Sequence, residues 1–261
     1  MEPDNHQALI AMCHDLKEIL EAAKIPFFLI GGSAIGAVRH QGMIPWDDDI
    51  DVGIKREQIP AFVAAFAASP LAQPYHLVIP GQEPNYYFPT YKMLDQRGPL
   101  ADLVDAGTGL RGAFIDIFPL DKTFAWKPLR RVHQLQVRLD QVALDIARGD
   151  SATGNHLGPF RRWSVRQAAR HTPTQLAARY CHDIAKFAGL RHGYLFYNFG
   201  SPYAWDREMY RRDEVAAAVP AVFEQEDFPI AQGYDAILTR MYGDYMTPPP
   251  ASARQPKHIQ S

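Results

Sequence analysis

Four aspartates fall within five residues in the run Trp46-Asp47-Asp48-Asp49-Ile50-Asp51-Val52-Gly53-Ile54. Charges packed this closely repel one another unless water or a cation compensates them. From Asp49 onward carboxylates alternate with apolar side chains. Residues i and i+2 of a strand share a face, so Asp49 and Asp51 are expected side by side while Ile50 and Val52 point into a core. Such a pair can hold Mg²⁺, or Mn²⁺ in its place, through oxygen ligands and leave coordination positions for substrate phosphates. Asp116 is the third candidate. It lies inside Phe114-Ile115-Asp116-Ile117-Phe118, and a lone carboxylate in so apolar a strand is costly to bury without a charged partner. A metal shared with Asp49 and Asp51 supplies that partner; the alternative is a strand-end aspartate capping a neighbouring helix.

The acidic run has two other readings. A calcium loop needs Gly at its sixth position and Glu at its twelfth, where Val52 and Gln58 stand. A solvated acidic turn accounts for Asp47 and Asp48 but leaves the alternation of Ile50, Val52 and Ile54 unexplained.

Upstream, Gly31-Gly32-Ser33 lies between an apolar run and the start of a helix. Unpaired backbone N–H groups and the helix dipole favour an anion there, and paired glycines let a phosphate approach closely. The motif lacks the GxxxxGK of a P-loop and the GxGxxG of a dinucleotide fold. Its value lies in its downstream neighbours, Arg39 about two helical turns on and then the paired aspartates. Lys92 is a further candidate for a phosphate contact, the alternative being an exposed strand lysine.

Several elements must position these groups. Leu9, Met12, Cys13, Leu16, Ile19, Leu20 and Ala23 recur at helical steps between Asp4 and Lys24, and Pro26 ends that helix. Phe27 to Ile30 reads as a buried strand, followed by a helix to about Arg39, a strand over Asp49 to Ile54 and a helix over Pro60 to Ala68. Tyr75 to Ile79, Tyr86 to Leu94 and Ala113 to Phe118 are strand candidates, with Leu100 to Val104 weaker. After Pro119 helices are expected at Trp126 to Arg148, Phe160 to Arg170 and Pro173 to Gly189. Two short strands near Val215 to Phe223, a helix over Gly233 to Tyr242 and a Pro-rich tail complete the chain. The fold class is α/β, with a mixed sheet, flanking helices and an added helical region. Expected divisions are a catalytic core over 1–122, a helical region with short strands over 123–250 and a flexible tail over 251–261.

Composition narrows the partners. A formal charge of −2, from 27 Lys and Arg against 29 Asp and Glu, gives no global reason to expect nucleic acid, so phosphate binding must be local. Arg130, Arg131, Arg138, Arg161, Arg162, Arg166 and Arg170 read as a solvated helix face, with an anionic docking surface as the alternative. Cys13 and Cys181 lack metal or redox spacing. The opening MEPDNHQAL lacks the features of a signal peptide, and no apolar run approaches the roughly 20 residues of a membrane span. A cytoplasmic protein is expected.

The block GGSAIGAVRHQGMIPWDDDIDVGI resembles the signature of the LicD family, the phosphorylcholine transferases related to fukutin. FIDIFPLD at Phe114 to Asp121, YNFG at Tyr197 to Gly200 and LTRMYGDYMTPP at Leu238 to Pro249 come after it in the family's order. The resemblance implies a nucleotidyltransferase fold and transfer of the distal phospho-group of a CDP-linked donor to a glycan or lipid-linked glycan hydroxyl, releasing CMP. Choline is the usual passenger, with ribitol phosphate and phosphonates elsewhere in the family. By position, Gly32 and Ser33 match the fold's glycine-serine motif, Asp49 and Asp51 its metal-binding pair, and Asp116 its third carboxylate. Many members carry paired histidines after the YGDYM block, where this chain has only His258 nearby, to which no role is given. Two cysteines also cannot build the four-cysteine zinc insertion of some animal relatives. The rivals are a nucleotidyltransferase that releases pyrophosphate and a non-catalytic binding module of the same fold. Peripheral contact with the inner face of the cytoplasmic membrane is compatible with all three.

Overall fold

The computed structural model of the chain describes residues 3–83, 85–97, 100, 103–105, 108–150, 152–201, 203, 205–255 and 259–260. His258 lies outside the described residues.

The apolar steps of the N-terminal segment form α1 (Pro3–Ala22), which buries Leu9, Met12, Leu16 and Leu20 against the sheet. The chain then lays down β1 (Phe27–Leu29), the short helix α2 (Gly31–Ile35) with a π-helical turn (Gly36–His40), β2 (Ile50–Lys55) and α3 (Ile59–Ala68). β3 (His76–Val78), β4 (Tyr91–Asp95), the short β5 (Val104–Asp105) and the long β6 (Ala113–Phe124) come after them. Three helices are next: α4 (Lys127–Ala147), α5 (Pro159–Ala168) and α6 (Pro173–Ala185). The chain ends with β7 (Tyr194–Tyr197), β8 (Met209–Tyr210), the β9 (Ala218–Phe223) and β10 (Glu226–Ala231) hairpin, α7 (Tyr234–Tyr242) and β11 (Ile259–Gln260).

Seven of these strands run β3-β4-β6-β2-β1-β10-β9 across one mixed sheet, and β7 and β8 extend it from the far end of β6. β6 is parallel to β2 and antiparallel to β4; β1 is antiparallel to β2 and parallel to β10. The α/β class therefore stands. Ile50, Val52 and Ile54 of β2 and Ile115 and Ile117 of β6 are almost wholly buried in the main core, as the alternation requires.

Several elements differ from expectation. Residues 86–90 are irregular, with a bend at 89–90, rather than the start of β4, and the Tyr86 hydroxyl donates to the Thr90 carbonyl at 2.8 Å across them. β6 does not stop at Phe118 but runs through Pro119 to Phe124. On its outer edge β4 pairs as far as Ile117 and β7 only from Asp121, so Pro119 falls where that ladder is interrupted and a missing N–H costs least. The expected 122/123 boundary thus lies inside a continuous strand. β7 and β8 were not expected. The pair of strands near Val215 to Phe223 is instead β9 and the later β10, which inserts beside β1. The hairpin turns on Glu224 and Gln225, both at positive φ (51° and 72°), a geometry that usually announces itself through Asn-Gly. The weak strand candidate at Leu100 to Val104 is reduced to β5 among the described residues.

Candidate active site

The sheet register assembles the site. Asp51 on β2 is the direct partner of Asp116 on β6, and Asp116 is the direct partner of Lys92 on β4. Directly paired residues project from one face, so the three side chains form a row across three strands. Asp49, just before β2, completes the group: one carboxylate oxygen from each of Asp49, Asp51 and Asp116 lies within 4.8 Å of the others. Asp49 and Asp116 are buried and Asp51 is half-buried.

Backbone contacts fix Asp51 further. Its N–H donates to Ser33 Oγ at 2.9 Å, and its carbonyl accepts the Ile30 N–H at 3.1 Å. Gly31 has φ +56°, and a Cβ there would lie 2.9 Å from Asp51 Oδ2; one on Gly32 would lie 2.6 Å from Asp47 Oδ2. The glycine pair thus lets the carboxylates approach the turn, a role its sequence setting did not reveal. Asp48, read from sequence as a turn residue, is fully buried, and Asp47, Asp48 and Asp49 form a second close carboxylate group.

Lys92 is 4% exposed, so it is not a surface strand lysine. Its ammonium lies 2.6 Å from Asp116 Oδ1, donates to Asp116 Oδ2 at 2.9 Å and sits 3.1 Å from Asp105 Oδ2. A phosphate at Lys92 would have to share this ammonium with two carboxylates. Burial alone would lower the Lys92 pKa, but Asp116 and Asp105 hold it above the usual lysine value. For Asp116 burial dominates over the Lys92 charge, and Asp49 and Asp105 add to it, pushing its carboxyl up to about 6.

Arg39 is held from the C-terminal side of the chain. Its Nη1 donates to the Tyr245 carbonyl at 2.5 Å, tying the π-helical turn to the segment after α7. Burial and the nearby Arg254 lower its pKa, while Asp47 raises it. Sequence reasoning did not single out Glu208 or Asn198. Glu208, 2% exposed, accepts from Asn198 Nδ2 and the Tyr210 hydroxyl, each at 2.9 Å. The Tyr242 ring packs edge-on to Tyr203 at 5.5 Å, and its hydroxyl lies close to Gly31. Asn198 and Tyr242 fall in the YNFG and LTRMYGDYMTPP segments; Glu208 had no such signal.

The donor set fits a hard divalent cation. Its oxygens are all carboxylate, and they converge from two strands of the sheet.

Residues 24–94 match the family model described as LicD/FKTN/FKRP, nucleotidyltransferase domain. The chain carries a LicD-family nucleotidyltransferase domain. That span holds Gly31, Gly32, Ser33, Arg39, Asp49, Asp51 and Lys92 and ends before Asp116, which the β2–β6 register brings to it. Similarity to the LicD family extends further in one relative. The lipopolysaccharide cholinephosphotransferase LicD of Haemophilus influenzae is 26% identical over 93% of this chain and 90% of its own length. The human ribitol 5-phosphate transferase FKRP is 51% identical over 41 residues, 16% of this chain and 8% of that protein. An uncharacterized protein of Rickettsia prowazekii is 44% identical over 50 residues, 19% of each chain.

Proposed function

We propose that this LicD-family enzyme transfers a substituted phosphate group from a CDP-linked donor to a hydroxyl of a glycan or lipid-linked glycan, releasing CMP. The passenger is phosphocholine or a similar phospho-alcohol or phosphonate. What carries the reading is the convergence of Asp49, Asp51 and Asp116 beside the Gly31–Ser33 turn, in a chain aligned nearly end to end with a cholinephosphotransferase.

The acceptor oxygen attacks the distal phosphorus in line, a new P–O bond forms, and the bond to the bridging oxygen breaks with its electron pair leaving on CMP. Asp49, Asp51 and Asp116 would hold Mg²⁺ or Mn²⁺, which when bound neutralises phosphate charge and the charge developing in transfer. Asp116 has a second capacity. A carboxyl pushed up to about 6 is mostly ionised near neutrality and basic enough to take the acceptor's proton, with Lys92 keeping it charged. Gly31, Gly32, Ser33 and Arg39 are assigned to the donor's phosphate side. No helix among the described residues is long and apolar enough to cross a membrane. We place the reaction in the cytoplasm, at the inner face of the membrane where lipid-linked acceptors are met.

Purified protein given a panel of CDP-linked donors with Mg²⁺ or Mn²⁺ should release CMP, and Asp51→Asn should abolish release while keeping the wild-type circular dichroism. Pyrophosphate release from CTP would favour nucleotide transfer instead, and full activity in the folded Asp51→Asn protein would overturn the site assignment.

A further inference from the structure

A cleft of about 440 Å³ opens where the end of β6, the start of α4 and the β7–β8 pair meet. Arg130, Arg211 and Arg212 line it together with Tyr194 and Met209, and Asp213 is the one carboxylate in the lining among the described residues. Three guanidinium groups against one carboxylate leave a local positive excess that the chain's formal charge of −2 conceals.

Arg130 is 7% exposed, unlike the solvated arginines expected along α4. Its Nη1 donates to the carbonyls of Phe124 at 3.2 Å and Ala125 at 2.7 Å, while its Nε is buried with no acceptor among the described residues. Buried polar groups seldom go unpaired, so Arg130 keeps unspent hydrogen-bonding capacity beside the cleft. Arg212 lies 4.7 Å over the Tyr194 ring, which leaves its N–H edge for an anion, and Arg211 has only a 3.9 Å approach to Glu214. The 21-residue α4 also begins beside the cleft without a side-chain cap, so its first N–H groups and dipole add to the field.

We propose that this cleft is a second binding site, separate from the carboxylate cluster, for a phosphate-bearing group. Arginine forks match phosphate oxygens, and a partly enclosed basic cleft concentrates such anions. Asp116 and Phe124 lie eight residues apart on β6, roughly 26 Å along a strand at about 3.3 Å per residue, and the cleft's lining shares no residue with the carboxylate cluster. A soluble phosphate ester and a phospholipid head group both carry this chemistry. The exposed Trp126 and Val132 on the same end of α4 give a lipid surface something apolar to meet.

The test uses the full-length protein in EDTA, which keeps divalent metal out of the measurement. Calorimetry with inorganic pyrophosphate is one arm, and flotation with phosphatidylglycerol–phosphatidylcholine vesicles is the other. Arg211→Ala/Arg212→Ala should weaken binding in at least one arm by tenfold or more at unchanged melting temperature. Asp51→Asn should not alter it, and neither should Arg162→Ala/Arg166→Ala, which removes equal charge from exposed positions on α5. Saturable pyrophosphate binding marks a soluble ligand, and vesicle binding alone marks a head group. No binding in either arm, or equal loss in the α5 control, would overturn the proposal.

Discussion

Replacing Lys92 with methionine tests how the site is built, because it keeps the side chain's length and removes its charge. The ammonium lies between Asp116 and Asp105, at 2.6 and 3.1 Å, and all three residues are less than a tenth exposed. Removing one partner of a buried ion pair costs about 3–5 kcal/mol, because the charge left behind has neither water nor a counter-ion. For a domain of this size that is a fall in melting temperature of about 6–20 °C. The loss should depend on pH. Burial already raises the Asp116 carboxyl to about 6, and without Lys92 it rises further, so the native state takes up a proton before the unfolded chain does. Stability lost at alkaline pH is therefore recovered as pH falls through that raised value. Urea unfolding of Lys92→Met against wild type in EDTA should show the full deficit near pH 8 and a smaller one near pH 5. Asp116→Asn should suppress much of the pH dependence in the double variant. A deficit below about 1 kcal/mol, or one equal at both pH values, would refute the ion-pair account of Lys92.

Other perturbations have definite expected outcomes. Gly31→Ala places a Cβ 2.9 Å from Asp51 Oδ2 at φ +56°, so it should cost about 1–2 kcal/mol and weaken Mn²⁺ binding in calorimetry. Unchanged Mn²⁺ affinity would mean the close approach does not matter. Glu208→Ala leaves the buried Asn198 amide and Tyr210 hydroxyl without their acceptor, about 1–3 kcal/mol for each donor, whereas Glu208→Gln keeps a carbonyl and should cost far less. Equal urea midpoints for the two variants would contradict this. Burial first, then the neighbouring Asp183, raise Asp140 above the ordinary carboxylate range although Arg179 lies 3.1 Å away. A carboxyl raised in the folded state contributes stability at low pH that is lost as pH rises through the folded value. This contribution should therefore be lost from about pH 4 to about pH 7, and Asp140→Asn should flatten that slope in thermal scans.

The strands that carry the chemistry were legible because their chemistry and their packing are written at the same positions. In β2 and β6 the aspartates sit at the parity opposite to isoleucine and valine, so one alternation gave the strand, its buried face and its carboxylate face together. The C-terminal strands lack that redundancy. β10 reads Glu-Asp-Phe-Pro-Ile-Ala, with a proline and two acids, and its turn uses Glu and Gln at positive φ. What makes it a strand is the open edge of β1, which no local pattern records. Tertiary context overrode propensity here.

The same distinction governs the site. Asp49 and Asp51 are two residues apart, so their juxtaposition follows from strand geometry alone. Asp116 joins them only through the β2–β6 register, and sequence supplied a motive for that pairing in the cost of burying a lone carboxylate. Lys92 supplied the opposite motive, and its burial was not foreseen. A single lysine in Tyr-Lys-Met-Leu looks like a solvent-facing strand position, since lysine is seldom buried unless it is paired. Its pairing depends on the β4–β6 register and on Asp105, from a segment with little strand character of its own. Both ends of the ion pair thus solve one problem. The buried lysine offsets the charge of Asp116 on one side of β6, while Asp49 and Asp51 approach on the other. An acidic cluster can then persist inside the fold, and Lys92 serves the site by setting the charge on Asp116.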